Sequence, residues 1–283
     1  MSARRARPAS TPGATPTAAR RRSARRTPAP FAFALVAVVL LLAAGSGEAA
    51  RRTPLRVFAA ASLRESFEAL GREFEGAHPE IQVEFEFAGT AVLRAQIERG
   101  APADVFASAD ESHAHALAAD GLIESPRVFA HNRMVVITPP GGRVRTLADL
   151  ARPGLRLVLA GRAVPAGRYA RRALARMDSS GSFPPRFRSR VEANVVSEET
   201  SVRGVLAKVA LGEADAGLVY ATDARASRTP VRAIEIPDRW NVTAAYLIAP
   251  TARARGNRGA QAFVRAVLGA RGRTLLRRHG FLD

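Results

Sequence analysis

The chain contains no cysteine, which excludes disulfide staples, thiolate nucleophiles and a cysteine-linked lipid anchor. Lysine is almost as scarce: Lys208 stands alone among 43 basic residues. Three tyrosines and one tryptophan occur, and aromatics make up 6% of the chain. So few rings among so many arginines leave no stacking platform for single-stranded nucleic acid. The only long apolar run, Phe31 to Ala44, has 14 residues. A membrane-spanning helix needs roughly 20. Without disulfides or a membrane span, stability has to come from a hydrophobic core. Residues 51–283 are long enough to build one, in two lobes.

What precedes that core reads as an address. Residues 1–30 hold eight arginines among Pro, Ala, Ser and Thr, a composition that buries too little apolar surface to fold. The apolar run follows, then the small residues of Gly47-Glu48-Ala49-Ala50. This order predicts an export signal over residues 1–50 with an extended basic n-region, cleaved after Ala50, and a periplasmic destination. The formal charge of +18 falls to +11 once the eight arginines and one glutamate of residues 1–50 are set aside. The remaining arginines are interspersed with Asp and Glu rather than gathered in a stripe, which speaks against a nucleic-acid partner. A basic surface would still steer an anion.

Short apolar strands alternate with helical patterns along residues 51–283, predicting an α/β fold with mostly parallel sheets. Val57 to Ala61 runs into Ser62-Leu63-Arg64-Glu65, which reads as a capping box before a helix with Leu63, Phe67, Leu70 and Phe74 on one face. Val83 to Phe87 alternates with period two, and Gly89-Thr90 opens a second helix. Strands follow at Val105 to Ser108 and Met134 to Ile137. A second set comprises Leu157 to Leu159, a helix opened by Pro165-Ala166-Gly167, Ala193 to Val196, a helix capped at Ser201, Ala216 to Tyr220 and Val231 to Ile236. A last strand, Ala245 to Ile248, and a helix from Gln261 to Leu268 return to the first set. The expected organisation is one lobe of residues 51–133 plus 237–283 and another of residues 134–236, crossed twice by the chain.

Ligands of open α/β sheets bind beyond the carboxyl ends of the strands. Ser62, Thr90, Ala166, Val202 and Tyr220 all fall there, and each offers a neutral donor: a hydroxyl, a phenol, or an unpaired N–H at a helix start. Several such dipoles can replace the hydration shell of a dianion without an opposing charge. Ser62 and Thr90 read equally well as helix caps, and Tyr220 as a core residue. His113 and His115 are spaced so that their rings diverge on a helix, with no third metal ligand nearby. Trp240 and Tyr246 read as packing, Asp104 and Asp110 as loop braces, and Glu198 and Glu199 as solvent-facing or helix-dipole carboxylates. Ser62 sits in Ala-Ala-Ser-Leu rather than a nucleophile elbow, so hydrolytic chemistry is not expected.

These residues resemble a known family. Ala59-Ala60-Ala61-Ser62-Leu63, the segment Leu93 to Asp110, Val164-Pro165-Ala166-Gly167, Val202-Arg203-Gly204 and Gly217-Leu218-Val219-Tyr220 are similar, in order, to the periplasmic molybdate-binding proteins. The resemblance covers residues 55–283. It implies a two-lobed type II periplasmic-binding-protein fold with two hinge crossings and the ligand in the interlobe cleft. It implies a non-enzymatic, monomeric receptor for molybdate, and for tungstate, that hands its cargo to the permease of an ABC importer in the inner membrane. No cofactor is implied, and no metal other than that of the oxyanion. By the same resemblance the oxyanion is held by the Ser62 hydroxyl and N–H, the Thr90 hydroxyl, the backbone N–H groups of Ala166 and Val202, and the Tyr220 hydroxyl. Thr90 departs from the family, where serine is more usual, and its methyl leaves open a receptor for another oxyanion or small acidic solute.

Overall fold

The computed structural model describes residues 52–283. The predicted export signal lies outside the described residues. Two five-stranded sheets organise the rest. The first contains β1 (Thr53–Ala60), β2 (Ile81–Ala88), β3 (Val105–Ser108), β4 (Arg127–Asn132) and β10 (Ala244–Pro250), in the order β2-β1-β3-β10-β4. The second contains β5 (Met134–Thr138), β6 (Leu157–Ala160), β7 (Val195–Glu199), β8 (Ala216–Tyr220) and β9 (Arg232–Glu235), in the order β7-β6-β8-β5-β9. The two orders are equivalent, a repeat of architecture that leaves no trace as a sequence repeat.

Each sheet is parallel except for one strand. β1 pairs in parallel with β2 and β3, whereas β10 runs antiparallel to β3 and β4. Likewise β6 pairs in parallel with β7 and β8, and β5 runs antiparallel to β8 and β9. The reversed strands, β5 and β10, are the two by which the chain enters a sheet directly from the other. β4 passes to β5 through the single residue Arg133, and β9 passes to β10 through residues 236–243. A strand entering from the cleft points away from it, so both crossings force a reversal. Asn241 ties the two crossings together: its Oδ1 accepts the Met134 N–H at 3.0 Å, and its Nδ2 donates to the Met134 and Ile236 carbonyls at 2.9 and 3.0 Å.

The helices are α1 (Arg64–Ala77), α2 (Thr90–Glu98), α3 (Glu111–Ala119), α4 (Pro165–Ser179), α5 (Phe187–Ala193), α6 (Val202–Ala210), α7 (Ala221–Arg225), α8 (Arg258–Leu268) and α9 (Ala270–Arg278). The stripe Leu63, Phe67, Leu70 and Phe74 is buried as its spacing requires. Phe67 and Phe74 meet Phe263 of α8 edge-on, at 6.1 and 5.3 Å between ring centroids. On the opposite face of the first sheet, Leu93 and Ile97 of α2 and Leu117 of α3 pack with Phe58 and Phe106.

Local expectations fail in two places. The capping box before α1 does not form. Ala61–Leu63 makes a 3-10 turn, α1 starts at Arg64, and no side chain caps either. Ser62 and Glu65 are drawn instead to partners far along the chain. The strand expected at Ala193 starts two residues later, because Ala193 closes α5, a helix too short and too polar to be legible as a period.

Candidate functional site

Six strand ends point at one spot between the lobes. Ser62 follows β1, Thr90 opens α2 after β2, and Ala109 follows β3. From the other lobe, Ala166 sits in the first turn of α4 after β6, Val202 opens α6 after β7, and Tyr220 ends β8. All six line one cavity, together with Ala60, Ala61, Gly89, Val164, Pro165 and Ser201. The cavity is small, so its occupant has to be compact. No charged side chain lines it. The structure therefore brings together all five residues singled out from the sequence.

Each donor is aimed by its element. Thr90 Oγ1 accepts the Ala109 N–H at 3.3 Å, leaving the Thr90 proton free for the cavity. Pro165 at the first position of α4 has no N–H to lose, and Val164 provides no side-chain cap, so the Ala166 N–H stays unpaired at the positive end of the helix. Gly167 is required here, because a Cβ would collide with the carbonyls of Ala160 and Gly161. Arg171, buried, braces the same turn by donating to the Ala160 and Gly167 carbonyls at 2.9 and 3.1 Å. At α6 the Ser201 side chain caps the Gly204 N–H at 3.3 Å, which leaves those of Val202 and Arg203. The Tyr220 hydroxyl is fully buried and has no hydrogen-bond partner. Burial first, and then Tyr246, Tyr169 and Asp223 nearby, hold its pKa well above that of free tyrosine, so it remains a donor.

Around the cavity, the two helices of the second lobe send arginines across the cleft. Arg203, next to Val202, makes a two-pronged pair with Glu65 of α1, with Nη1 to Oε1 at 2.9 Å. Arg168, two residues beyond Ala166, pairs with Asp110 and donates to Ser112 Oγ at 2.8 Å. His113 adds a contact of 2.9 Å from Nε2 to the Ala163 carbonyl, and burial lowers its pKa. Arg203 and Arg168 are thus each matched by a carboxylate, and the groups that line the cavity are neutral. Gly89 approaches the Thr200 carbonyl so closely that a Cβ would overlap it.

Several of these partners were not legible in advance. Glu199 was expected to face solvent or serve the helix dipole. Its side chain is 18% exposed and bonds Lys208 Nζ at 2.7 Å, and that lysine holds its carboxyl below the usual range. Glu198 pairs with Arg171. Asp110 does brace its loop, capping α3 through the His113 N–H at 3.1 Å, but it also reaches Arg168. Tyr246, expected only to pack, places its hydroxyl 2.9 Å from Ser62 Oγ. Trp240 does pack, edge-on against Phe183 at 4.8 Å.

Behind Arg203 lies Asp223, fully buried, with Oδ1 2.7 Å from Arg203 Nε in an ion pair poorly aligned for a hydrogen bond. Burial pushes its carboxyl up to about 6, against the pull of Arg203 and with the help of Glu65. The folded state therefore keeps a proton that the unfolded chain has lost above pH 4, and folding stability falls as pH rises through 6. The raised pKa corresponds to a loss on the order of 2–3 kcal/mol. His113, with a lowered pKa, acts in the opposite sense near pH 6, and the depressed Asp149, Asp215 and Glu199 act only toward lower pH. The Asp223 contribution is read by difference. In urea denaturation between pH 4.5 and 6.5, Asp223→Asn should lose the downward component of the wild-type profile. Parallel profiles would show that Asp223 keeps an ordinary pKa.

Two equivalent sheets, two crossings with reversed entry strands, and helix starts converging on one small cavity define a two-lobed solute receptor of the type II periplasmic-binding-protein fold. The chain belongs to the bacterial extracellular solute-binding protein family, whose profile matches residues 55–282. Over 228 residues it is 41% identical to a Mycobacterium tuberculosis protein named molybdate-binding protein ModA, covering 80% of this chain and 83% of that one. In structure it matches the periplasmic molybdate-binding protein of Azotobacter vinelandii with a TM-score of 0.69 at 22% identity, over 81% of this chain and 99% of that one. The sulfate-binding protein SubI of Mycobacterium tuberculosis matches with a TM-score of 0.72 at 18% identity, over 81% and 86%. At those two identities the likeness is one of fold.

Proposed function

We propose that this chain is an exported receptor that closes on molybdate, and on tungstate, and delivers it to the permease of an ABC importer. The observation that carries this reading is the Tyr220 hydroxyl, fully buried at the cavity wall without a partner. A buried donor left unpaired costs about 1–3 kcal/mol, and an anion in the cavity would recover that and more. Ser62, Thr90 and the N–H groups of Ala166 and Val202 complete a ring of neutral donors suited to a tetrahedral dianion. The name of the 41% identical relative supports molybdate in particular. No nucleophile, general base or metal-ligand set is needed for such a role, and the receptor acts outside the cytoplasm as a monomer.

Selectivity against sulfate, an equally charged tetrahedron, would rest on cavity size, which the converging strand ends set. A second reading, a receptor for a smaller oxyanion, is favoured only by the extra methyl of Thr90 at the cavity wall. Calorimetric titration with molybdate, tungstate, sulfate and hydrogen phosphate separates the two. Micromolar or tighter binding of the first pair, and far weaker binding of the second, is expected from five to seven hydrogen bonds to a charged group. Preference for sulfate would replace the first reading with the second.

A further inference from the structure

Tyr246 lies on β10, outside the residues that line the cavity, yet its hydroxyl is 2.9 Å from Ser62 Oγ. On distance alone either oxygen could donate. The neighbours decide. Asn132, at the end of β4, has its Oδ1 occupied by the Arg133 N–H at 2.9 Å, which orients its Nδ2 inward. That amide donates to Thr222 Oγ1 at 2.8 Å and, at a longer 3.5 Å, toward Tyr246 Oη. An amide nitrogen cannot accept, so Tyr246 Oη receives on that side and its own proton goes to Ser62 Oγ. The Ser62 proton then has to point elsewhere, and the cavity is what Ser62 lines.

Building on the oxyanion reading, we propose that Tyr246 is a positioning residue that makes Ser62 an obligate donor toward the cavity, and so selects fully deprotonated oxyanions over protonated ones. A free serine hydroxyl can turn to donate to a bare oxyanion or to accept from the O–H of hydrogen phosphate. With the Tyr246 proton seated on one lone pair, Ser62 could accept from hydrogen phosphate through the other only by turning its own proton away from the cavity, where it has no other hydrogen-bond partner among the described residues. Thr90 is held in the same sense by the Ala109 N–H. Ser62 and Thr90, two of the four hydroxyl-bearing residues that line the cavity, are thereby turned to donate. Tyr246 is itself fully buried, between Phe129, Tyr220 and Phe281 with ring centroids 6.2, 5.7 and 5.3 Å away, so removing its hydroxyl leaves the packing in place.

The test is Tyr246→Phe, titrated at pH 8 with molybdate and with hydrogen phosphate, two dianions of which only the second carries a proton. Molybdate affinity should fall about tenfold, the scale of one hydrogen bond to a charged group, while hydrogen phosphate binding holds or strengthens. The ratio of the two affinities therefore narrows. An equal loss for both anions, or no change in either, overturns the relay and leaves Tyr246 a packing residue. Asn132→Asp provides the check if Tyr246→Phe shows no cooperative melt. Its carboxylate would take the Tyr246 proton, turn Ser62 toward accepting and narrow the ratio again, whereas an unchanged ratio counts against the relay. Wild-type protein indifferent to molybdate would refute the oxyanion reading itself. Tight wild-type binding with an unaltered ratio in the variants would refute the relay alone.

Discussion

Gly89→Ala should weaken ligand binding by about 10- to 100-fold while leaving the ligand-free protein as stable as before. Gly89 precedes α2 with φ −61° and ψ 137°, a conformation that alanine adopts freely, so the substitution brings no local strain. What the new methyl meets is the Thr200 carbonyl at the end of β7, in the other lobe. Carbonyl oxygens of a strand end move only with the lobe, so the overlap is relieved by parting the cleft. Overpacking of this kind costs about 1–3 kcal/mol. Charged against the closed state alone, it lowers the binding-competent fraction and the apparent affinity by the corresponding factor. Calorimetry with molybdate and thermal melting of the ligand-free variant measure the two halves of the statement. Unchanged affinity would mean that closure tolerates the methyl. A lowered ligand-free melting temperature would place the damage inside a lobe.

Tyr220→Phe should move stability and affinity in opposite directions. Its hydroxyl is buried without a partner, so losing it removes an unsatisfied polar group from the ligand-free protein, which should gain up to about 1 kcal/mol. With the oxyanion bound, the same deletion removes a hydrogen bond to a charged group, worth about 1.5–3 kcal/mol, or roughly 10- to 150-fold in affinity. The raised pKa of the buried phenol keeps the effect constant across neutral and mildly alkaline pH. A structural tyrosine would lose stability on truncation and leave affinity nearly untouched. Melting temperature and molybdate affinity, measured on one preparation, tell the cases apart.

Most of the scaffold of this site was legible from local signals. The period-two strand of β2, the Phe67–Leu70–Phe74 stripe of α1 with Leu63 just before it, and the Pro-Ala-Gly start of α4 each announce themselves within a few residues. Placing helix starts after strand ends then locates Ser62, Thr90, Ala166, Val202 and Tyr220 without any tertiary knowledge. α3 was missed because its Ala- and His-rich stretch has little apolar period, and α5 because seven residues are too few to show one. The reversed strands also escaped, since β5 and β10 read locally like their parallel neighbours and differ only in where the chain enters.

Ser62 and Glu65 mark the boundary most sharply. Three residues apart before a helix, they have the spacing and chemistry of a capping box, and nothing nearby in sequence argues otherwise. In the fold Ser62 bonds Tyr246, 184 residues away, and Glu65 bonds Arg203, 138 residues away. Those contacts exist only because the second crossing returns β10 beside β3 and because the lobes close. The amino-acid sequence by itself determined most of the elements, the donors at their ends and the absence of thiol chemistry, since these depend on backbone periodicity and side-chain type over a few residues. Tertiary structure alone decided which donors are orphaned, which arginines are neutralised across the cleft and which way the Ser62 proton points. Hydrogen-bond satisfaction is settled among groups that meet only after the chain has folded back on itself.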